Sequence, residues 1–367
     1  MKGFNQVQIK RLSILLLLIG VILALTGCFD KKKENKPQVF SFDRITKAEG
    51  LPSEKITCIA PYGEKICAGS NEGLFIFDGV NWEICNKETH NSLGSNLIVG
   101  MHFLNGKLWV ATDNGACYFD GENFRSIYTG ARARAVTGVD EKKYAVGTAF
   151  GVFRDGNNSG NSGSNVAASE ISCMIYDTKG QLWVGTRLEG MFKMTSSSGT
   201  NYKGPGKKIM GSSLIPVPAT PASCKLPGNL IKALLPFKEG LAVGTTGGLC
   251  LTDFSSYYDV YTAEHQDYFP KDGRIVEEVV PGNSDIPGNK IYALAKTDNN
   301  ELLFVVTDLG LGILKGKEWL NVDKIIPGLP SDGLNSVAWC KGYLWLGTNE
   351  EGVIRIKNLS SLLEDNK

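Results

Sequence analysis

The chain has 367 residues, and its 39 lysines and arginines nearly balance its 38 aspartates and glutamates, giving a formal net charge of +1 at pH 7. This balance argues against a nucleic-acid partner, since proteins that bind nucleic acids usually carry a strongly basic face. The chain beyond its amino-terminal segment, about 340 residues, is long enough to bury a sizeable hydrophobic core.

The amino-terminal segment is typical of an export signal rather than of a folded domain. Three basic residues precede an apolar run at 12–25, and the run ends on Leu25-Thr26-Gly27-Cys28. An apolar residue and two small residues before a cysteine indicate a lipoprotein signal peptide over 1–27, with lipidation of Cys28. The alternative is an uncleaved membrane anchor, but the run is shorter than the about 20 apolar residues of a spanning helix.

Residues 28–37 are charged and contain a proline, which predicts a flexible tether. With either form of anchor, the rest of the chain is held to a membrane on its extracytoplasmic side, in the cell envelope, the periplasm or at the cell surface. The lipid on Cys28 is therefore the expected contact with the membrane.

One short pattern recurs along the rest of the chain. An apolar run ends in a small residue, Ser or Thr follows, and a glycine comes after two or three variable residues, as in "LWVATDNG". Successive copies are separated by 36 to 62 residues, which is the spacing of a blade-type array rather than of a helical solenoid. The small residues that mark the seven copies are Gly69, Ala111, Gly147, Gly185, Gly244, Val306 and Gly347.

Each copy is predicted to form four short antiparallel strands. Two apolar stretches split by a turn precede the marker residue, as in "KITCIAPYGEKICAGS", and indicate a hairpin. A third strand ends in Asp-Gly and a fourth alternates in polarity. The glycine after the marker is expected at positive φ, which glycine adopts without steric cost. Seven such units predict an all-β fold, a seven-bladed β-propeller over 38–358 with a polar tail at 359–367.

A second motif precedes several of the first strands. Turns of the type Leu51-Pro52-Ser53, Leu226-Pro227-Gly228 and Leu329-Pro330-Ser331 stand there. Together with the marker pattern they resemble the two-component-regulator propeller repeat over nearly all of 38–357, most weakly in blade three. In that family such blades form the extracytoplasmic sensing part of hybrid sensor kinases. No kinase-like region follows the last blade, so we expect a separate partner to carry any signal.

The two ends of the repeat array predict how the ring closes. The last blade stops after its third strand, "GVIRIKN", whereas "VFSFDRI" at 39–45 has the character of a fourth strand. We therefore expect 39–45 to supply the outer strand of blade seven. Such pairing would remove two exposed sheet edges.

Three irregular stretches interrupt the array. A Gly/Ser/Asn-rich segment from 155 is predicted to be a loop that replaces much of the outer strand of blade three. The segment from 195 is loop-like, with "KKIMG" or "SLIPV" as candidate outer-strand pieces. The segment from 255 to 285 is rich in tyrosine, and these rings either form an outer strand or line a surface for a saccharide or a partner.

Eight cysteines follow Cys28, and an even number in an exported chain raises the question of disulfides. Their matching positions in successive repeats favour small apolar core fillers instead. The best disulfide candidate is Cys58 with Cys67, which a hairpin turn near Gly63 would bring opposite each other. No motif for metal or haem attachment is present.

Ligands of propellers bind on the face where the second-to-third strand turns and the fourth-to-first connections gather. Three arginines fall there on neighbouring blades three and four and could hold an anionic group in bidentate geometry. The alternative is that they are solvated side chains balanced by Glu189. The candidate binding residues are Arg132, Arg134, Arg187, Glu189, Asp113, Asn114 and Asn349, and Phe150 lies on the same face.

Catalysis requires a poised group with an orienting partner. The three histidines, His90, His102 and His265, are scattered over separate repeats, and neither a metal-ligand spacing nor a nucleophile motif occurs. We therefore predict a non-catalytic, lipid-anchored propeller without a cofactor that binds an unknown ligand, such as a saccharide or an anionic molecule, or an envelope protein. The alternatives are an envelope scaffold for a protein complex and a polysaccharide lyase or hydrolase.

Overall fold

The computed structural model describes residues 38–154, 166, 169–195, 199–204, 207–210, 213–216, 224–272, 274–359 and 361–362. The predicted signal peptide over 1–27, Cys28, the tether over 28–37 and most of the Gly/Ser/Asn-rich segment lie outside these residues. The described chain is nearly all β, with one α-helix, α1 (Val322–Ile325), and two short 3-10 helices, Lys47–Glu49 and Asn91–Leu93. None of the helices in these ranges has the length and apolar character needed to cross a bilayer.

The strands form seven consecutive antiparallel sheets, the blades, and two additional hairpins. The first strand, β1 (Phe42–Ile45), belongs to the last blade. Blade one contains β2 (Ile56–Tyr62), β3 (Lys65–Ser70), β4 (Leu74–Phe77) and β5 (Trp82–Cys85). Blade two contains β6 (Ile98–Leu104), β7 (Lys107–Thr112), β8 (Gly115–Phe119) and β9 (Phe124–Tyr128). Blade three contains β10 (Ala135–Gly138), β11 (Tyr144–Thr148) and β12 (Gly151–Arg154).

Blade four contains β13 (Ile171–Tyr176), β14 (Leu182–Thr186), β15 (Met191–Met194) and β16 (Gly199–Tyr202), and the hairpin β17 (Lys207–Met210) and β18 (Ser213–Pro216) follows. Blade five contains β19 (Ile231–Phe237), β20 (Gly240–Thr245), β21 (Gly248–Thr252) and β22 (Tyr258–Tyr261), and the hairpin β23 (His265–Lys271) and β24 (Arg274–Val280) follows. Blade six contains β25 (Ile291–Lys296), β26 (Leu302–Thr307), β27 (Gly310–Lys315) and β28 (Glu318–Leu320). Blade seven contains β29 (Leu334–Cys340), β30 (Tyr343–Thr348) and β31 (Val353–Ile356).

The innermost strands of successive blades contact one another around a ring. The order of contacts is β2, β6, β10, β13, β19, β25 and β29, and β29 then contacts β2 again. The contact between β29 and β2 closes the circle, so the prediction of a seven-bladed propeller is confirmed.

Strand β1 completes blade seven from the other end of the chain. Phe42–Ile45 pairs antiparallel with Val353–Ile356, and the predicted closure by the amino-terminal strand is confirmed over these four residues. Ion pairs reinforce the ladder, because the carboxylate of Asp43 lies 2.7 Å from the Arg355 guanidinium and 2.8 Å from the Lys357 ammonium. One sheet therefore joins residues that are more than 300 positions apart in sequence.

The recurring Thr and Gly build the same turn in every blade. The hydroxyl of Thr112 donates to the carbonyl of Gly115 at 2.9 Å and accepts from the N–H of Asn114 at 3.3 Å. Gly115 has a φ of +116°, as its place in the repeat predicts. The equivalent hydroxyl donates at 2.8–3.1 Å in the other six blades, from Ser70, Thr148, Thr186, Thr245, Thr307 and Thr348.

The small marker residue leaves space that the next blade fills. A Cβ on Gly244 would lie 2.6 Å from Cγ2 of Ile291, the first residue of the innermost strand of blade six. The same contact joins Gly347 of blade seven to Ile56 of blade one, at 2.8 Å, and so takes part in ring closure. The buried apolar clusters accordingly combine side chains from neighbouring blades, so the core lies between the sheets.

The inserted segments differ in part from the sequence prediction. The outer strand of blade four is Gly199–Tyr202, whereas "KKIM" and "SLIP" pair with each other as the separate hairpin β17–β18. The tyrosine-rich segment supplies the outer strand of blade five, Tyr258–Tyr261, and then forms the hairpin β23–β24. Strand β18 contacts β23, so the two inserted hairpins lie against each other.

No disulfide joins any of the eight cysteines that the structure describes. The candidate pairing of Cys58 with Cys67 is wrong, because Cys58 lies opposite Gly69 in the β2–β3 ladder and Cys67 lies opposite Ala60. Burial raises the pKa of the Cys58 thiol to about 12, which fits a cysteine that acts as a core residue.

The segment predicted as a polar tail at 359–367 begins within the core. Leu359 and Leu362 are buried and join the apolar cluster between blades six and seven. The Lys315 ammonium donates to the carbonyl of Leu362. Two of the three leucines of this segment thus pack in the core, and residues 360 and 363–367 lie outside the described residues.

Candidate functional site: the upper face of the ring

We call the face of the ring at which the second strands end and the third strands begin the upper face. The connections from each fourth strand to the next first strand reach the same face, because the strands alternate in direction. The predicted binding residues all lie in these turns and connections, namely Arg132, Arg134, Arg187, Glu189, Asp113, Asn114 and Asn349.

Two guanidinium groups converge on one carboxylate where blades three and four meet. Nη1 of Arg134 and Nη1 of Arg187 lie 2.9 Å and 3.0 Å from the same atom, Oε1 of Glu170. The backbone N–H of Arg187 also donates to the carbonyl of Glu170 at 3.0 Å. Two positive charges and one negative charge leave a net charge of +1, and we call these three residues the arginine cluster.

The arginine cluster has donor capacity that its internal contacts do not use. The Nε of Arg134 is buried and has no hydrogen-bond partner among the described residues. The side chain of Arg187 is 58% exposed, so its guanidinium can contact a molecule in solution. In the alternative interpretation Glu189 was to balance the three arginines, but Glu189 pairs with Lys203 at 2.6 Å, and Glu170 is the carboxylate beside Arg134 and Arg187.

The other predicted residues form separate contacts around the ring. Arg132, in the connection from β9 to β10, pairs with Asp113 of blade two at 3.3 Å. The backbone N–H of Asn114 donates to the Thr112 hydroxyl within its own turn. Asn349 lies in blade seven, where its side-chain oxygen accepts from Asn335 at 2.9 Å. Arg134 and Arg187 thus lie together at one carboxylate, as predicted. Arg132, Asn114 and Asn349 do not join them, because each contacts a different partner elsewhere on the ring.

The tip residues of the second-to-third strand turns divide the upper face into two sectors. Phe150, Leu188 and Leu309 occupy the tips in blades three, four and six, and they are 78%, 73% and 63% exposed. The tip of blade five, between them, is Gly247. We call blades three to six, which also carry both inserted hairpins, the apolar sector. The tips of blades seven, one and two are polar, namely Glu350, Glu72 and Asn114.

Phe150 was predicted to lie on this face, whereas Leu188, Leu309 and Glu170 were not predicted from the sequence. The two leucines could have been found by comparing tip positions across the aligned repeats. Glu170 precedes a first strand, and its contact with two arginines depends on the packing of one blade against the next. A single repeat contains no signal for that contact.

The three histidines are held in separate contacts that involve no acidic partner in the described structure. Nδ1 of His102 lies 2.9 Å from the hydroxyl of Thr137 on the neighbouring innermost strand, and burial lowers the pKa of His102 to about 4. His90 packs edge-on against Phe124, and His265 contacts a backbone carbonyl. No cluster of three or more His, Cys, Asp or Glu suited to a metal ion occurs in the described ranges.

Residues 165–187 match the family model described as "Two component regulator propeller". The chain carries a repeat of this family. The matched stretch runs through the first hairpin of blade four and contains Glu170 and Arg187 of the arginine cluster. The resemblance inferred from the turn motifs is therefore confirmed.

Solved structures with the propeller fold are similar to this chain at low sequence identity. The extracellular domain of a protein from B. thetaiotaomicron described as a hybrid two-component system matches at 20% identity and a TM-score of 0.56, covering 88% of this chain and 40% of that chain. Catalytically inactive virginiamycin B lyase from Staphylococcus aureus with quinupristin matches at 11% identity and a TM-score of 0.56, covering 87% and 99%.

A third similar structure is the Cps50 (Swd1) β-propeller domain from Myceliophteria thermophila, at 13% identity and a TM-score of 0.54, covering 87% of this chain and 99% of that chain. No curated protein matches the sequence. The first of these structures is an extracellular domain, and the present chain spans about 40% of its length. At these identities the three structures establish the fold alone.

Proposed function

We propose that this protein is a non-catalytic, extracytoplasmic propeller, anchored through a lipid on Cys28, that binds an anionic ligand at the arginine cluster. The repeat family and the fold shared with an extracellular domain support the extracytoplasmic location. The observation that carries the binding proposal is the convergence of Arg134 and Arg187 on Glu170.

The chemistry of the arginine cluster favours a carboxylate, sulfate or phosphate group as ligand. Guanidinium groups bind such oxyanions with paired, charge-assisted hydrogen bonds. Glu170 holds both side chains in place before the ligand arrives, which reduces the entropy lost on binding. The exposed tips Phe150 and Leu188 belong to the same two blades and offer apolar surface, so a ligand with an acidic group and an apolar face, such as an acidic saccharide, fits both features.

An array of acidic and neutral saccharides, probed with the full chain, tests this proposal. We expect binding to acidic members and a loss of at least about tenfold in affinity for Arg187→Ala, since truncating one partner of a charged hydrogen-bonded contact costs about 2 kcal/mol or more. Arg125→Ala is the matched control, because Arg125 is 59% exposed and pairs with Asp120 at 3.2 Å on an outer strand.

Two results would contradict the proposal. One is an array without any bound acidic saccharide, and the other is equal binding by Arg187→Ala and the wild type. Turnover of any bound polysaccharide would show instead that the protein is an enzyme. The contacts of the three histidines with a hydroxyl, a ring and a backbone carbonyl support the proposal of a non-catalytic protein.

The second candidate function is an envelope scaffold, which the apolar sector favours. Large exposed apolar side chains on one part of a surface are typical of protein interaction sites. A photo-reactive residue at position 188 should then give one cross-linked partner in cells. The same residue at Val80, which is 82% exposed at a turn between third and fourth strands, is the matched control and should give none.

A further inference from the structure

A groove crosses the upper edge of blade six, apart from the arginine cluster. Its volume is about 430 Å³, which is within the range of small binding sites. Two successive copies of the proline turn form its walls, one before blade six at Pro287 and the other before blade seven at Leu329 and Pro330. The indole of Trp319 and the exposed tip Leu309 add apolar surface to it.

The position of Trp319 is fixed by its neighbours. Its ring lies edge-on to Tyr261 of blade five, with the ring centroids 5.6 Å apart. A Cβ at Gly312 would lie 2.7 Å from the same ring, so the glycine makes room for the indole. The lining of the groove is therefore preformed, and binding there would require little reordering of side chains.

Two carboxylates at the groove are unpaired. Asp285 and Asp323 both line it and are exposed, and neither forms an ion pair or a side-chain hydrogen bond with a described residue. Lys290, on the connection that carries Asp285, is already paired with Asp308 at 3.4 Å. The groove thus combines apolar side chains and prolines with two carboxylates that no described residue neutralises, a charge character opposite to that of the arginine cluster.

We infer that this groove binds an extended segment of a partner polypeptide in which lysine or arginine flanks an apolar residue or a proline. Extended and proline-containing segments dock on surfaces built from aromatic rings and prolines, because they lose little conformational entropy on binding. Basic side chains of the segment would pair with Asp285 and Asp323. This site is independent of the anionic ligand proposed above, since the two sites lie on different blades and select opposite charges.

A library of short random peptides displayed on phage, selected on the immobilised full chain, provides the probe. We expect the selected sequences to be enriched in lysine or arginine next to proline or aliphatic residues. The most frequent sequence, made as a labelled synthetic peptide, should bind the wild type in fluorescence anisotropy, and its affinity should fall as salt rises. Asp285→Asn with Asp323→Asn should weaken that binding at least about tenfold at low salt.

Matched variants separate this groove from the rest of the upper face. Leu309→Ser should weaken peptide binding, whereas Leu188→Ser, which alters an equally exposed tip of blade four, should leave it unchanged. Glu350→Gln removes an exposed carboxylate from blade seven and should also have no effect. Because all these residues are exposed, we expect the variants to melt at the same temperature as the wild type. Equal melting temperatures will confirm that a loss of peptide binding does not come from unfolding.

The proposal is overturned if selection enriches no sequence or enriches acidic ones, or if the selected peptide binds the Asp285→Asn, Asp323→Asn variant as it binds the wild type. It is also overturned if Leu188→Ser rather than Leu309→Ser removes binding, because the peptide would then occupy the sector next to the arginine cluster. Binding of acidic saccharides by the same preparation is measured separately, so failure of one site does not conceal the state of the other.

Discussion

Replacing Gly244 by alanine tests the contact on which the packing of blade against blade depends. The added Cβ would lie 2.6 Å from Cγ2 and 2.9 Å from Cβ of Ile291, and a β-branched side chain has little rotamer freedom to move away. Overpacking of a core typically destabilises a protein by about 1–3 kcal/mol. Alanine also lowers the conformational entropy of the unfolded chain, which stabilises the folded state by about 0.4–1 kcal/mol. We therefore expect Gly244→Ala to lower the free energy of unfolding by about 1–2 kcal/mol.

Gly100→Ala is the matched control, because the nearest atom to a Cβ at that position is the carbonyl oxygen of Arg134 at 3.7 Å, an ordinary contact. This variant should be as stable as the wild type or slightly more stable. Urea unfolding followed by tryptophan fluorescence measures both. Placing Gly244→Ala in an Ile291→Ala background should reduce its penalty, because the clashing Cγ2 is then absent. Equal stability of the Gly244 and Gly100 variants would refute the proposed interlock.

Further predictions concern charge, protonation and the repeated turn. Asp43→Asn should lower the free energy of unfolding at neutral pH by about 1 kcal/mol. Because Lys357 and Arg355 lower the pKa of Asp43, urea unfolding at several pH values should show this difference fading as the pH falls through the folded-state pKa. Burial lowers the pKa of His102 from 6.5 to about 4, so on acidification the unfolded chain takes up this proton before the folded one. The free energy of unfolding should therefore rise between about pH 4 and 6.5. The same urea series on His102→Gln should lose this slope. In thermal melts, Thr186→Val should cost about 1–3 kcal/mol, because the Glu189 N–H loses its acceptor and the Gly190 carbonyl keeps only the Thr186 N–H as donor.

Much of the fold could be predicted because each turn is stabilised within its own repeat. The side-chain hydroxyl of the Thr donates to the carbonyl of a glycine three or four residues later. Because both partners lie in one short segment, their spacing can be recognised in the sequence. The outer strand of blade four could not be predicted in this way. Gly199–Tyr202 has little β character of its own and becomes a strand by pairing with Met191–Met194, whereas the more strand-like "KKIM" pairs elsewhere.

The candidate site was only partly predictable, for a different physical reason. Arg134 and Arg187 were identified because they lie in turns that the repeat places on one face. Their shared partner Glu170 lies at the start of a strand, and it meets them only because blade four packs beside blade three. Ring packing joins residues from separate repeats, so the charge balance of a site between blades cannot be obtained from the pattern within one blade.

The residue at the tip of each second-to-third strand turn is not constrained by the fold, unlike the residues that flank it. The flanking Thr and Gly are fixed by a buried hydrogen bond and a positive φ, as at Thr307 and Gly310. The tip between them, Leu309, contacts mainly solvent, so the fold gains nothing from an apolar side chain there. An exposed leucine alone would need no explanation, but this one lines the groove, and the peptide site inferred above gives its side chain a contact that folding does not.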